Sequence, residues 1–134
     1  MSSKHKLDAN YYLNQADAYE NQKDYANAII MRQKSSDEIS KALESDNNAS
    51  YYANGVHEEY INKDVILLQT TLKLLEVEIY SDREQNHELK PGQEDTGLNA
   101  LNPYINELKG TVSTYKNEEN EIIAKNPDKF KFIE

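Results

Sequence analysis

Apolar residues recur at helical spacing along most of the chain, and the longest such run sets the predicted architecture. No proline interrupts it, so the sequence predicts one helix of about nine turns from Asn48 to Tyr80. In its second half the apolar positions are separated alternately by four and three residues, which is typical of the seam of a coiled coil or helix bundle. This predicted seam consists of Ile61, Val65, Leu68, Leu72, Leu75 and Ile79.

Two shorter helices are predicted ahead of the long one. Helical spacing of apolar and small residues begins at Leu7 and stops at residues 21–23. Asp24 is a typical N-cap and opens the second helix, in which Arg32 and Ser36 interrupt the apolar stripe. Because the connection is only a few residues long, we expect these two helices to form an antiparallel hairpin.

Polar residues and glycine interrupt the apolar pattern at three further places. The run Ser45-Asp46-Asn47-Asn48 is predicted to cap the third helix. Gly55 falls inside that helix, where glycine costs about 1 kcal/mol relative to alanine. The segment that follows contains Pro91-Gly92 and few apolar residues, which indicates a solvated linker.

A fourth amphipathic helix is predicted after the linker. Asn102 can cap it with Pro103 at its first position, and Asn126-Pro127 ends it. The helix either folds back on the third as a hairpin or pairs with a second copy as a coiled-coil homodimer. Its seam consists of Leu101, Ile105, Leu108, Val112, Tyr115 and Ile122.

These patterns predict an all-α protein with five segments. They are a disordered N-terminus at 1–6, a three-helix bundle with an elongated third helix at 7–80, a linker at 81–101, the amphipathic helix at 102–126 and a tail at 127–134.

Charge and composition narrow the function classes. The 134 residues carry a net charge of -9, spread evenly with no basic patch, so nucleic-acid binding and direct membrane insertion are disfavoured. There is no cysteine and no apolar run of membrane-spanning length. We expect a cytoplasmic protein that is recruited to membranes through its partners.

The sequence offers no evident catalytic chemistry. His57-Glu58 begins like a metalloprotease motif, but Ile61 stands where the second histidine is required. Glu118, Glu119 and Glu121 are interpreted as a solvated helix face. We therefore expect no catalytic residues, no metal and no cofactor, and a protein that is not an enzyme.

Three short runs carry a resemblance to a known family. Gln15-Ala16-Asp17-Ala18-Tyr19-Glu20, Asp24-Tyr25-Ala26-Asn27-Ala28-Ile29 and Ser40-Lys41-Ala42-Leu43-Glu44 resemble the MIT (microtubule interacting and trafficking) domain, a three-helix bundle. Arg32-Gln33-Lys34-Ser35, and Tyr60-Ile61-Asn62-Lys63 ahead of Ile66-Leu67-Leu68-Gln69, are most similar to the family of nuclear-receptor-binding factor two and autophagy-related protein thirty-eight. The resemblance covers residues 7–76.

This resemblance implies a non-catalytic accessory subunit of the autophagy-specific phosphatidylinositol 3-kinase complex. The alternatives are an adaptor of the ESCRT machinery that binds the C-terminal tails of ESCRT-III subunits, or a purely structural coiled-coil subunit of another assembly. An amphipathic partner helix would bind in a groove beside the third helix. The candidate groove residues are Tyr12, Tyr19, Tyr52, Val56, Tyr60, Lys63 and Leu67.

Overall fold

The computed structural model describes residues 2–86 and 94–130. These residues form four α-helices and one short 3-10 helix, and no strand occurs among them, which confirms the all-α prediction. The helices are α1 (Ser2–Asn21), α2 (Tyr25–Ala49), α3 (Gly55–Gln85) and α4 (Glu94–Lys125), followed by the 3-10 helix η1 (Pro127–Lys129).

Each helix packs antiparallel to the one that follows it, so the chain runs up, down, up and down. Short side chains bring α1 and α2 together, where the Ser35 hydroxyl donates a hydrogen bond of 2.9 Å to the Ala9 carbonyl. The pairing of α3 with α4 includes an ion pair of 3.1 Å between Lys63 and Glu118. The third and fourth helices therefore form the internal hairpin that was one of the two predicted arrangements.

The predicted seam of α3 is shared between two different neighbours. Leu68 and Leu75, each 1% exposed, pack into a core with α1 and α2 that is built around alanines at the helix contacts. Ile61 instead packs against α4, next to Ile122 and Phe130. The core of the first three helices consists of Ala9, Ile39, Ala42, Leu68 and Leu75.

The reversal between α1 and α2 is a Schellman motif. The Asp24 amide donates to the Tyr19 carbonyl at 2.8 Å, and the Lys23 amide donates to the Glu20 carbonyl at 2.9 Å. Lys23 takes a left-handed φ of 61° to make this turn. Asp24 accepts a hydrogen bond from the Asn27 amide at 3.3 Å, so the predicted N-cap is confirmed.

The prediction of one helix from Asn48 to Tyr80 is wrong. Residues 45–49 belong to α2, which ends at Ala49, and residues 50–54 form a turn. Asp46 is 4% exposed because it packs against Asp64, and this tertiary contact keeps the last turns of α2 helical where local capping chemistry favoured a break. Gly55 is the first residue of α3, with a left-handed φ of 57°, rather than an interior position.

The segment boundaries at both ends also need correction. Residues 2–6 are helical rather than disordered, since His5 donates a hydrogen bond of 2.7 Å to Glu38 and Lys6 pairs with Asp64. In the predicted tail, η1 follows Asn126 and Phe130 is 3% exposed. Residues 131–134 lie outside the described part.

The predicted linker at 81–101 is much shorter than expected. Helix α3 continues to Gln85, with Ser81 and Asp82 buried, and α4 begins at Glu94, leaving 87–93 outside the described residues. Pro103 therefore lies inside α4 instead of at its first position. The predicted end of α4 before Pro127 is confirmed.

Candidate functional site

A buried cation joins the first three helices. Arg32 of α2 is 1% exposed and is surrounded by four carboxylates from α1 and α3. Its Nε donates to Asp82 at 2.8 Å, and one Nη lies 3.0 Å from Glu20. Asp17 at 3.4 Å and Glu78 at 3.5 Å complete what we call the Arg32 cluster.

The Arg32 cluster contains four carboxyl groups and one cation, and two of the carboxyl groups have raised pKa values. Burial and a hydrogen bond with Glu20 raise the pKa of Asp82 to about 7, although Arg32 opposes the shift. Burial also raises the pKa of Glu78, again against the attraction of Arg32. Arg32 itself has a raised pKa because the surrounding carboxylates outweigh its burial. A proton on Asp82 therefore relieves repulsion in this cluster.

A second cluster, at the opposite end of the bundle, is centred on a carboxylate. Asp64 of α3 is fully buried and interacts with Asp46 of α2, Lys6 of α1 and Glu119 of α4. Lys6 donates a hydrogen bond of 3.3 Å to the Tyr60 hydroxyl, and its Nζ lies 5.5 Å from the centre of that ring. We call these five residues the Asp64 cluster.

Within the Asp64 cluster the pKa values of two carboxyl groups are shifted in opposite directions. Burial and a hydrogen bond with Asp64 raise the pKa of Glu119 to about 9, so Glu119 is protonated at neutral pH and donates to Asp64. The pKa of Asp64 is lowered despite its burial, because hydrogen bonds with Asp46 and Glu119 and the charge of Lys6 outweigh desolvation. The Glu119 proton thus contributes to the contact between α4 and α3, beside the Lys63–Glu118 ion pair.

Carboxyl pairs whose pKa values diverge also occur in catalytic sites, where one acts as acid and the other as base. Here the adjoining cavity, lined in part by Asn10, Val112 and Lys116, measures about 170 Å³. That is below the range of about 300 to 1,000 Å³ usual for ligand pockets. In the described part of the chain, no three histidine, aspartate or glutamate side chains are arranged to hold a metal ion. Because the Asp64 cluster joins residues of all four helices and its carboxyl groups are buried, its geometry favours a packing role.

A wider concave surface lies on the other side of α3. It is a groove of about 680 Å³, formed by α3 with two polar residues of α2 and one leucine of α4. Apolar side chains supply most of its lining, and Tyr80 is 37% exposed there. The α3 groove, as we call it, is lined by Gln33, Ser36, Leu72, Glu76, Val77, Ile79, Tyr80, Arg83 and Leu101.

Three of the predicted groove residues are used within the chain. Val56 and Tyr60 pack with Ile122 and Phe130, and the Tyr60 ring centre lies 5.3 Å from that of Phe130. Lys63 pairs with Glu118 and its Nζ lies 5.5 Å from the Tyr115 ring centre. Helix α4 therefore covers the part of α3 that the sequence analysis assigned to a partner.

The other predicted groove residues are dispersed. The Nζ of Lys34 lies 5.8 Å from the centre of the Tyr12 ring. The backbone carbonyl of Tyr19 accepts a hydrogen bond from the Asp24 amide. Tyr52 is 90% exposed in the turn between α2 and α3, whereas Leu67 packs against the core. The structure does not bring the seven residues into one groove.

The seam residues are divided in a similar way. Leu72, Ile79 and Leu101 line the α3 groove, whereas Val112 lines the small cavity beside the Asp64 cluster. Ile105 lines a separate polar depression near the Arg32 cluster. Val65, Leu108 and Tyr115 are half-buried.

The two charged clusters are not evident from the sequence, because each is formed by residues of several helices. Glu119 was assigned to a solvated face, yet it is 7% exposed, and Glu118 beside it pairs with Lys63. Arg32 was treated as a weak point of its stripe although it is the centre of a cluster. One signal was available in the sequence, since Arg32 and Glu119 are both charged residues at positions where the helical pattern calls for an apolar one. The carboxylates that contact them, however, lie on other helices and are distant in sequence.

Searches with this chain return no matching family model, no matching curated protein and no matching solved structure. Within the described residues, none of the helices combines the length and apolar character needed to cross a membrane. The resemblance to MIT domains stays a prediction, and functional inference depends on the surfaces described above.

Proposed function

We propose that this chain is a non-catalytic adaptor that binds an amphipathic helix of another protein in the α3 groove. The supporting observation is the groove itself, which has a volume of about 680 Å³ and a mostly apolar lining. Its apolar floor, formed by side chains such as Leu72 and Ile79, suits the apolar anchors of a partner helix.

The dimensions of the groove fit this mode of binding. Residues 72 and 83 of α3 mark its two ends, and they are about 16 Å apart along the helix axis at 1.5 Å per residue. That length matches about three turns of a partner helix, which would place anchors at the spacings of three and four residues used in helix-in-groove complexes. Polar residues of both α2 and α3 border the apolar floor.

The resemblance to the family of nuclear-receptor-binding factor two suggests the partner. On that basis we propose a subunit of the autophagy-specific phosphatidylinositol 3-kinase complex, with an ESCRT-III tail as the competing occupant. This assignment moves the binding surface away from Val56, Tyr60 and Lys63, since α4 already covers those residues.

Affinity purification of the full chain from its source cell tests the proposal. We expect the lipid kinase complex to co-purify and the variant Tyr80→Ala to weaken its capture by about tenfold or more, because aromatic side chains in grooves are common binding hot spots. Tyr51→Ala is the matched control, since Tyr51 is 86% exposed but lies in the turn after α2.

Each outcome is informative. Capture of ESCRT-III subunits alone would replace the kinase-complex assignment with the ESCRT one. Equal capture by Tyr80→Ala and Tyr51→Ala would contradict the α3 groove as the binding surface. Circular dichroism of both variants verifies that each is folded.

A further inference from the structure

We infer that Asn54 is a site of spontaneous deamidation, through which the protein acquires an isoaspartate at the start of α3. Asn54 is followed by Gly55, and this Asn-Gly pair occurs once in the sequence. Asn54 is exposed, and it precedes α3 with extended backbone angles of φ -146° and ψ 167°.

The reaction needs only the chain and water. The Gly55 backbone nitrogen loses its proton and attacks Cγ of the Asn54 side chain, which forms a carbon–nitrogen bond and a five-membered succinimide. The side-chain amide leaves as ammonia, taking up the proton. Water then opens either carbonyl of the ring, giving aspartate or isoaspartate, so the overall change is addition of one water and loss of one ammonia.

Three features of the structure favour attack at this position. Gly55 carries no side chain that would hinder the ring, and a Cβ built there would meet nothing within 4 Å, so the surroundings are open. The Asn54 side chain makes no capping hydrogen bond and is therefore not held away from the backbone. The attacking nitrogen also lies at a helix N-terminus, where the macrodipole stabilises developing negative charge.

Other asparagines of the described chain lack this combination. Asn62 and Asn48 lie within helices, where the next amide is fixed in the helical hydrogen-bond pattern. Asn126 precedes Pro127, whose nitrogen has no hydrogen to lose. We therefore expect the modification to be selective for Asn54.

The isoaspartyl product changes the main chain at a capping position. The Asn54 carbonyl accepts hydrogen bonds from the His57 amide at 3.2 Å and the Glu58 amide at 3.4 Å. In isoaspartate the main chain runs through the former side-chain carbon, which adds a methylene group and displaces that carbonyl. The aspartyl product keeps the main chain and places a negative charge at the helix N-terminus, where it is favourable.

Incubation of the folded full chain in mildly alkaline buffer, followed by peptide mapping with mass spectrometry and electron-transfer fragmentation, tests this inference. We expect the Asn54 amide to be lost first, with isoaspartate among the products, while Asn62 keeps its amide. Retention of the Asn54 amide for as long as that of Asn62 would overturn the inference.

Two glycine variants separate the chemistry from general loosening of the turn. Gly55→Ala and Gly55→Asn both add a Cβ that hinders attack, but asparagine tolerates the left-handed conformation better than alanine does. We expect slower loss of the Asn54 amide in both variants. An unchanged rate in Gly55→Asn contradicts the proposed route.

Discussion

At the end of the bundle where α1 turns into α2, one cation, Arg32, is surrounded by four carboxylates. At the opposite end one carboxylate, Asp64, is surrounded by Lys6, Asp46 and Glu119. Both arrangements remove charge from water, which is unfavourable unless each group finds partners. The first relies on the many donors of a guanidinium, and the second on a proton held by Glu119.

This difference gives the two ends different sensitivities. The charge of Arg32 is present at every accessible pH, so only substitution can remove it, and pH acts on this cluster only through its carboxyl groups, of which Asp82 has a pKa of about 7. The Asp64 cluster depends on a titrating carboxyl group, so pH alone can weaken it. The two ends can therefore be perturbed separately, and the expected effects are given from the largest to the smallest.

Removing the guanidinium should have the largest effect. We expect Arg32→Met to lower the free energy of unfolding by about 3 to 5 kcal/mol, because Asp82 would remain buried without a counter-charge. Urea denaturation measures this loss. Arg32→Lys is the matched control and should lose less, since it keeps the charge without the planar fork. A loss in Arg32→Met no greater than in Arg32→Lys would show that the cluster does not depend on its charge.

Replacing the protonated carboxyl should stabilise the other end. The folded pKa of Glu119, about 9, exceeds its ordinary value of 4.5. The stability contributed by its protonated form is therefore complete below about pH 4.5 and is lost as the pH rises to about 9. Glu119→Gln keeps a neutral donor at every pH, so we expect unfolding to require about 1 to 3 kcal/mol more at about pH 8.

Two control variants define the pH window of that effect. Asp82→Asn should alter the decline in the free energy of unfolding only between pH 3.8 and about pH 7, because these are the ordinary and the folded pKa values of Asp82. Glu121→Gln, at an exposed position of α4, should leave the profile unchanged. Urea titrations at a series of pH values compare the three variants, and a persistent decline above about pH 7 in Glu119→Gln would contradict the shared proton.

A smaller effect is expected at the turn beside the Asp64 cluster. Gly55 has a φ of 57°, which alanine adopts only with strain, and a Cβ there gains no contact. We expect Gly55→Ala to lower the free energy of unfolding by about 1 kcal/mol. Replacing a glycine inside a helix by alanine would instead raise the free energy of unfolding. If thermal denaturation shows that Gly55→Ala is more stable than the original chain, the left-handed turn at Gly55 is contradicted.

The smallest effect is expected at the turn beside the Arg32 cluster. Lys23 takes a φ of 61° in the Schellman motif, a position where glycine is usual. Lys23→Gly should raise the free energy of unfolding by about 0.5 to 1 kcal/mol, whereas Lys23→Ala should not. Thermal melting of both variants measures the difference between them.

The elements with local signals were predictable from the sequence. Asp24 marked the start of α2, and Pro127 marked the end of α4. These features depend on residues within a few positions of one another, and local rules describe them well.

The interior of the bundle was not predictable in the same way. Asp46 was assigned to a helix cap, because aspartate in a polar run favours that position. Its contact with Asp64 extends α2 instead, and the residues around Asp46 and Asp64 in the sequence give no indication that the two are in contact. The α3 groove was missed for the same reason, since it is formed by side chains from three helices.

Tyr60 meets both extremities of the described chain. Lys6, in the second turn of α1, lies over its ring, and Phe130, after η1, packs beside it. During synthesis this aromatic contact can close only once residue 130 has left the ribosome, more than half the described length after Tyr60 itself. Until then one side of the Tyr60 ring remains uncovered, so the hairpin of α3 and α4 closes over it only after the whole of α4 and η1 has been made.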